Sequence, residues 1–380
     1  MTRLVGRLLI DGELRPGALT IEGEEIAAVE LEHATWDSEG LPIIAPGLID
    51  LHIHGFAMAD PLDDLGGMSK ALAGAGTTSF LPTLFPADPS LLGDRCKGFA
   101  AAQSSLPEGS AEPLGWHLEG PFVNPSSAGA LPKRDLAEPS VEALQAILGS
   151  ASGEGRNIKT VTIAPELPGS AELIEELVRC GIRVSMGHSQ ASGAEARKAA
   201  KAGALGVTHL YNAMSGVHHR NMGLAGIALT EDLLFAEIIG DLIHVGREAW
   251  EVALRCRGPK GLCLVSDALA GAGTGCDHFH LHGRDHEILD GTAYYPAGPQ
   301  RAERQLAGSA MSQLEMVRRL SSSGVTSVAD ALTMASETPA RALGIADERG
   351  VLQRGARADL IVLSGAQLDL SQVWIGGQSL

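Results

Sequence analysis

The chain has 380 residues, 44% hydrophobic and 20% charged, a length and composition that fit one large α/β barrel with a smaller appended unit. Its formal net charge of −17 repels phosphate backbones, and aromatics at 4% offer few base-stacking platforms, so nucleic acid is excluded as a partner. The five cysteines (Cys96, Cys180, Cys256, Cys263, Cys276) are odd in number and form no C-x-x-C, which argues against a disulfide framework or thiolate zinc site and for a reducing, cytoplasmic setting.

From the N-terminus, the apolar run of MTRLVGRLLIDGELRPG is broken by Arg3 and Arg7 and closed by Asp11 and Glu13, which is not the pattern of a signal peptide. No stretch approaches the roughly 18 apolar residues of a spanning helix, so no membrane association is expected. LVGRLLI, ALTIEG and IAAVEL read as short strands parted by Asp11-Gly12 and Gly23. The middle of the chain alternates apolar runs with helix-like stretches. The runs lie at 48–55, 77–83, 114–120, 158–166, 182–189, 204–212, 233–241 and 261–268. Segments 170–180 and 192–203 carry apolar or small residues at helical spacing. Eight such runs predict a (β/α)₈ TIM-type barrel, with a doubly wound open sheet as the alternative. The C-terminus, GVLQRGARADLIVLSG and SQVWIGGQSL, returns to strand texture, so the two ends are expected to pair into one small β-domain.

Most of the apolar runs end in a histidine or carboxylate: His52 and His54, Glu119, His188, His209 and Asp267. In a parallel barrel the C-terminal strand ends share one face, so these distant residues converge there. In His52-Ile53-His54, positions i and i+2 of a strand point the same way, so both imidazoles can reach one ion. A carboxylate such as Glu119 at the end of a buried strand is costly unless it faces a cation or donors, and Asp267 repeats that logic. Imidazole and carboxylate ligands suit zinc first, and iron or manganese also. Such an ion lowers the pKa of bound water to about 7, and a nearby carboxylate can carry the proton to a leaving amine.

APGLIDLHIHG, GTTSFLPT, HLEGPFVNP, GHSQA, THLYNAMS, LVSDA, LAGSAM and GARADLIVL occur in this order along the chain. Together they resemble the N-acetylglucosamine-6-phosphate deacetylases of the amidohydrolase superfamily. The resemblance implies a barrel at 47–344 and a β-sandwich from 1–46 plus 345–380. It implies that Glu119, His188 and His209 hold the main metal, and that His52 and His54 allow a second ion bridged by Glu119. Asp267 matches the family's general base and acid. The implied reaction is hydrolysis of the sugar's acetamide by metal-bound hydroxide. Arg220 matches a phosphate-binding arginine, Asn212 and Ala213 match positions that meet the phosphate, and His244 matches a substrate contact. Some of these contacts cross a subunit interface in the family, so a homodimer is implied.

The chain departs from the pattern at Leu131, twelve positions after Glu119, where the family carries a sugar-contacting histidine. Phe56 and Met58 are expected to add bulk beside the metal. These departures favour, as alternatives, a different N-acetylated amino sugar or another N-acyl amine; a non-catalytic structural relative is a remoter one. DHFHLHGRDHE, with His278, His280 and His282 alternating, reads as an exposed hairpin over the site with Phe279 and Leu281 inward, or as a further metal site.

Overall fold

The computed structural model describes residues 1–32, 40–149, 157–298 and 302–380. Eight parallel strands form the centre, in sequence order: Leu48–Ile53, Thr77–Leu84, Trp116–Glu119, Ile158–Ile163, Arg183–Met186, Gly206–Val207, Phe235–Ile239 and Leu262–Val265. A parallel bridge from Ile53 to Ala268 brings the last strand against the first. All eight expected runs are strands, and the sheet closes as a barrel rather than staying open. The strands are buried on both faces, because helices cover the outside and side chains fill the inside.

The helices follow from apolar spacing and from caps. Ser170–Arg179 buries Leu173, Ile174 and Leu177 on one face and leaves Glu172, Glu175 and Arg179 exposed. Each such side chain contributes about 1.5–3 kcal/mol when buried. Gly193–Lys201 starts on a capping box. The Ser192 backbone N–H donates to Glu195 Oε2 at 2.8 Å, and the Glu195 N–H donates to Ser192 Oγ at 3.4 Å. Among the described residues no helix is long and apolar enough to cross a membrane.

The two chain ends share one seven-stranded sheet. Its order is Gln378–Ser379, Asp369–Ile375, Leu360–Ser364, Ile43–Pro46, Thr2–Ile10, Glu13–Glu22, Glu25–Leu31. A bridge from Glu25 to Arg357 folds it over a second core that includes Leu8, Leu19, Ile26, Ile44, Leu360 and Trp374. This gives the β-sandwich beside the barrel. A third sheet, His278–Leu281, Arg284–Leu289, Thr292–Tyr295 and Gln305–Ser309, caps the barrel mouth. Its last strand is tied to the barrel where Leu269 N–H donates to Ser309 O at 3.0 Å and Ser309 N–H donates to Asp267 O at 2.8 Å.

Candidate metal centre

Strand parity places the site. In the first barrel strand Ile49, Leu51 and Ile53 alternate with Asp50, His52 and His54. The apolar set packs in the main core, so the polar set faces the barrel interior. Glu119 ends the third strand. His188, His209 and Asp267 each lie two residues beyond the fifth, sixth and eighth strands. These last three hold left-handed φ values of 46°, 31° and 47°. For non-glycine residues such backbone costs about 1–3 kcal/mol and persists only where the surroundings over-determine it.

All six side chains meet at the C-terminal mouth. His188 Nε2 and His209 Nε2 lie 2.9 and 3.2 Å from Glu119 Oε1, and 2.9 Å from each other. His54 Nε2 is 3.3 Å from Glu119 Oε2 and 3.2 Å from His52 Nε2. Asp267 Oδ1 lies 3.6 Å from His52 Nε2 and 3.5 Å from His54 Nε2. The donors form two triads, His52–His54–Glu119 and Glu119–His188–His209, which share the glutamate.

The other ring nitrogens show why a cation fits. His188 Nδ1 is 2.8 Å from the Ser127 carbonyl, and His54 Nδ1 is 3.2 Å from the Thr83 carbonyl. A carbonyl only accepts, so both Nδ1 atoms carry the hydrogen and both Nε2 atoms present lone pairs. His52 Nδ1 is 3.2 Å from Glu237 Oε2, which fixes the same tautomer. Burial holds the His52 imidazole well below its ordinary value, so it is neutral. Neutral rings aiming lone pairs at one another and at a carboxylate repel unless a cation lies between them. With no thiolate in the set, these residues fit a divalent ion bound by nitrogen and oxygen.

The carboxylates differ in electrostatic role. Burial pushes Glu119 up, but the cluster of imidazoles around it, His52, His188 and His209, outweighs burial and holds the group well below its ordinary range. Asp267 is raised well above its ordinary range by burial and by the charges of Glu119, Glu237, Asp50 and Asp241. Asp50, raised by burial to about 7, accepts at Oδ1 from the N–H groups of His52 and Ser266, tying the first strand to the last. Deeper in the barrel, His117 bonds Thr162 Oγ1 at 2.8 Å, which continues through Thr208 to Ser185. Burial pushes the His117 imidazole down to about 3.

A cavity of about 320 Å³ opens from these ligands. Asn212, Ala213, His244 and Leu131 line it. His244 is fixed by Asp241, whose Oδ2 lies 2.6 Å from Nδ1 and also accepts from Thr292 Oγ1 at 2.9 Å. Arg220 is not among the lining residues. It lies on an exposed loop, its guanidinium 2.7 Å from His219 Nε2.

Neither Phe56 nor Met58 lines the cavity at these residues. The Phe56 ring turns over Gly273, which has no side chain to block it, and Met58 is exposed. The histidine-rich segment is a hairpin with Phe279 buried. His280 pairs with Asp285 at 2.8 Å while His282 turns to Asp60 at 3.2 Å, so the three histidines gather at no common point.

Sequence reasoning missed Glu237, Asp241, Phe85 and Gln305. Glu237 in LLFAEIIGD carried the same signal as Glu119, a carboxylate within an apolar strand. Gln305 lines the cavity and donates to the Gly129 carbonyl at 3.2 Å, a contact across 176 positions with no local signal.

Comparison with known proteins gives a consistent picture. The amidohydrolase family matches residues 43–380. The N-acetylglucosamine-6-phosphate deacetylase of Bacillus subtilis is 38% identical over 85% of this chain and 81% of its own length. The N-acetylgalactosamine-6-phosphate deacetylase of Escherichia coli O157:H7 is 33% identical over 98% of this chain and 97% of its own. A solved mutant of the N-acetyl-D-glucosamine-6-phosphate deacetylase from Mycobacterium smegmatis, in complex with N-acetyl-D-glucosamine-6-phosphate, superposes with a TM-score of 0.87 at 28% identity, covering 100% of this chain and 98% of that one.

Proposed function

The chain belongs to the amidohydrolase family and hydrolyses carbon–nitrogen bonds, and from that premise we propose that it deacetylates N-acetylglucosamine 6-phosphate to glucosamine 6-phosphate and acetate. The observation that carries this is the meeting of His52, His54, Glu119, His188, His209 and Asp267 beside a cavity lined by Asn212, Ala213 and His244.

Glu119, His188 and His209 would hold one divalent ion, and His52 and His54 with Glu119 a second. Zinc suits the donor set first, with iron and manganese next. When bound, such an ion supplies water activated near neutral pH and polarises a carbonyl. Asp267 takes a proton from the attacking water and returns it to the amine as the C–N bond breaks. Asp241 holds His244 so that its Nε2 faces the sugar. Asn212 and Ala213 meet the phosphate. Arg220 stands on an exposed loop outside the cavity of its own chain, so its phosphate role requires a second copy, and a homodimer is part of the proposal. Residues 47–344 form the catalytic unit, and 1–46 with 345–380 the supporting one.

A specific observation favours a second reading, the galacto isomer of the same substrate. One relative that aligns over 98% of this chain is an N-acetylgalactosamine-6-phosphate deacetylase, and Leu131 on the cavity wall has no hydrogen bond to offer a sugar hydroxyl. The test is kcat/KM on metal-reconstituted protein for both hexosamine 6-phosphates, unphosphorylated N-acetylglucosamine and unrelated acetylated amines. Absence of any advantage from the phosphate would sink the sugar-phosphate reading, and the ratio between isomers chooses the sugar.

A further inference from the structure

A second chamber, of about 210 Å³, reaches the same metal-site residue from the other side. It shares His54, Phe85, Ala130 and Ala307 with the first cavity, and these form the wall between the two. Phe85 lies flat on His54, with ring centroids 3.9 Å apart and planes at 5°. The edge of His282 meets Phe85 at 5.8 Å, and the His282–Asp60 pair at 3.2 Å lies along the chamber.

An amide has two ends. In the reading above, the amine end and its sugar lie in the cavity with Asn212 and His244. The carbonyl sits at the metal residues, so the acyl end must leave in another direction. The chamber borders His54, as the first cavity does, and has room well beyond an acetyl methyl, several times the roughly 30 Å³ share of one water. Its walls combine Leu62, Leu269 and Leu281 with cations. Arg134 has Asp135 at 3.6 Å, but Arg95 and Arg284 make no ion pair among the described residues. Arg284 instead lies over the Tyr295 ring at 5.1 Å. In a chain of net charge −17, two guanidinium groups with no ion pair among the described residues, beside a chamber whose walls mix leucines with Asp60 and Asp135, mark a place for an anion.

We propose that this chamber is an acyl-side subsite that admits N-acyl groups longer than acetyl and prefers those ending in a carboxylate, such as N-succinyl. The proposal rests on the hexosamine-phosphate deacylase reading. In the step, the oxygen of water bonds to the acyl carbon as the C–N bond breaks. One water proton goes to the amine, and the new carboxylic acid releases the other to solvent. Nothing is oxidised or reduced.

The experiment measures kcat/KM of the full-length, metal-reconstituted protein on hexosamine 6-phosphates carrying N-acetyl, N-butyryl or N-succinyl groups. Both longer groups are expected within about tenfold of acetyl, with N-succinyl about tenfold above N-butyryl. Arg284→Met is expected to remove the succinyl-over-butyryl preference and Arg284→Lys to keep most of it. Because the readout is a ratio within one variant, partial misfolding does not mimic the effect. Turnover of acetyl with both longer groups more than about a hundredfold slower would overturn the subsite alone. A preference unchanged in both Arg284→Met and Arg95→Met would overturn the anion assignment. Failure to hydrolyse any of the three would overturn the deacylase reading, and this proposal with it.

Discussion

Glu237 Oε2 stands 3.2 Å from Nδ1 of His52, and both side chains are fully buried. The glutamate lies on the seventh barrel strand and holds the first metal-site histidine in the tautomer that turns its Nε2 lone pair to the site. Arg183 Nη1, 3.7 Å from the other carboxylate oxygen, balances part of its charge. Outer partners of this kind raise the basicity and fix the orientation of the ligand they touch.

Replacing Glu237 with Gln is therefore expected to weaken metal binding about 10–100-fold, with the fold retained. Competition of the purified variant against a chromogenic chelator measures it. An affinity equal to that of the parent would remove the orienting role.

Metal removal tests the lone-pair argument directly. Chelation should lower Tm, and zinc should restore it, because an ion present at a thousand times its Kd adds about 4 kcal/mol to stability. The Nε2 atoms of His188 and His209, 2.9 Å apart, are the local reason for expecting the apo state to be strained. A Tm indifferent to chelator and zinc would contradict the assignment.

Asp267→Asn should retain metal and lose about 10²–10⁴-fold in kcat, since an amide cannot shuttle the proton. Metal content by elemental analysis, taken beside single-turnover rates, separates the two effects. Near-normal turnover would refute the proton-carrier role.

The His282–Asp60 contact predicts a pH dependence away from the metal. The hydrogen bond to Asp60 raises His282 above its ordinary 6.5. Burial pushes Asp60 up, but the bonds from His282 and the Leu62 amide outweigh it and leave the group below 3.8. Because the folded value of His282 is raised, its share of the stabilisation is complete below about pH 6.5 and is lost as pH climbs through the raised value. Because the folded value of Asp60 is depressed, its share is present above 3.8 and is lost as pH falls through the depressed value. NMR titration of His282 should give a midpoint above 6.5, and Asp60→Asn should bring it down. An unmoved midpoint would show that the pair does not form in solution.

Arg220→Ala should raise KM for the phosphorylated sugar about tenfold or more, and leave KM for an unphosphorylated acetylated analogue nearly unchanged. Steady-state kinetics on the two substrates decide it. Equal changes on both would take the phosphate role away from this loop.

Much of the barrel is legible in the chain because its signal is local and repeated. Apolar runs such as IKTVTI and LCLV alternate with amphipathic helices, and the covering of both sheet faces makes those strands apolar throughout. The six candidate site positions stand out for the same reason: a histidine or carboxylate that ends an apolar run breaks the pattern visibly. Strand parity alone puts His52 and His54 on one side of Ile53.

Other features depend on contacts between segments far apart in sequence, which no local pattern records. The tautomer of His52 is fixed by Glu237, 185 positions away, and that of His188 by the Ser127 carbonyl, 61 positions away. Phe56 looks like bulk beside the metal until the fold turns its ring over Gly273. The alternating histidines at 278–282 share a spacing, but their separate partners, Asp285 and Asp60, disperse them. By itself the sequence determined the alternation of strands and helices and which residues end the strands, because both follow from hydrophobic burial at a fixed period. Only the tertiary structure decided where the ring hydrogens of His52, His54 and His188 sit, how two triads share Glu119, and that a second chamber opens behind Phe85. Those are matters of distance and direction between elements, and barrel closure sets them.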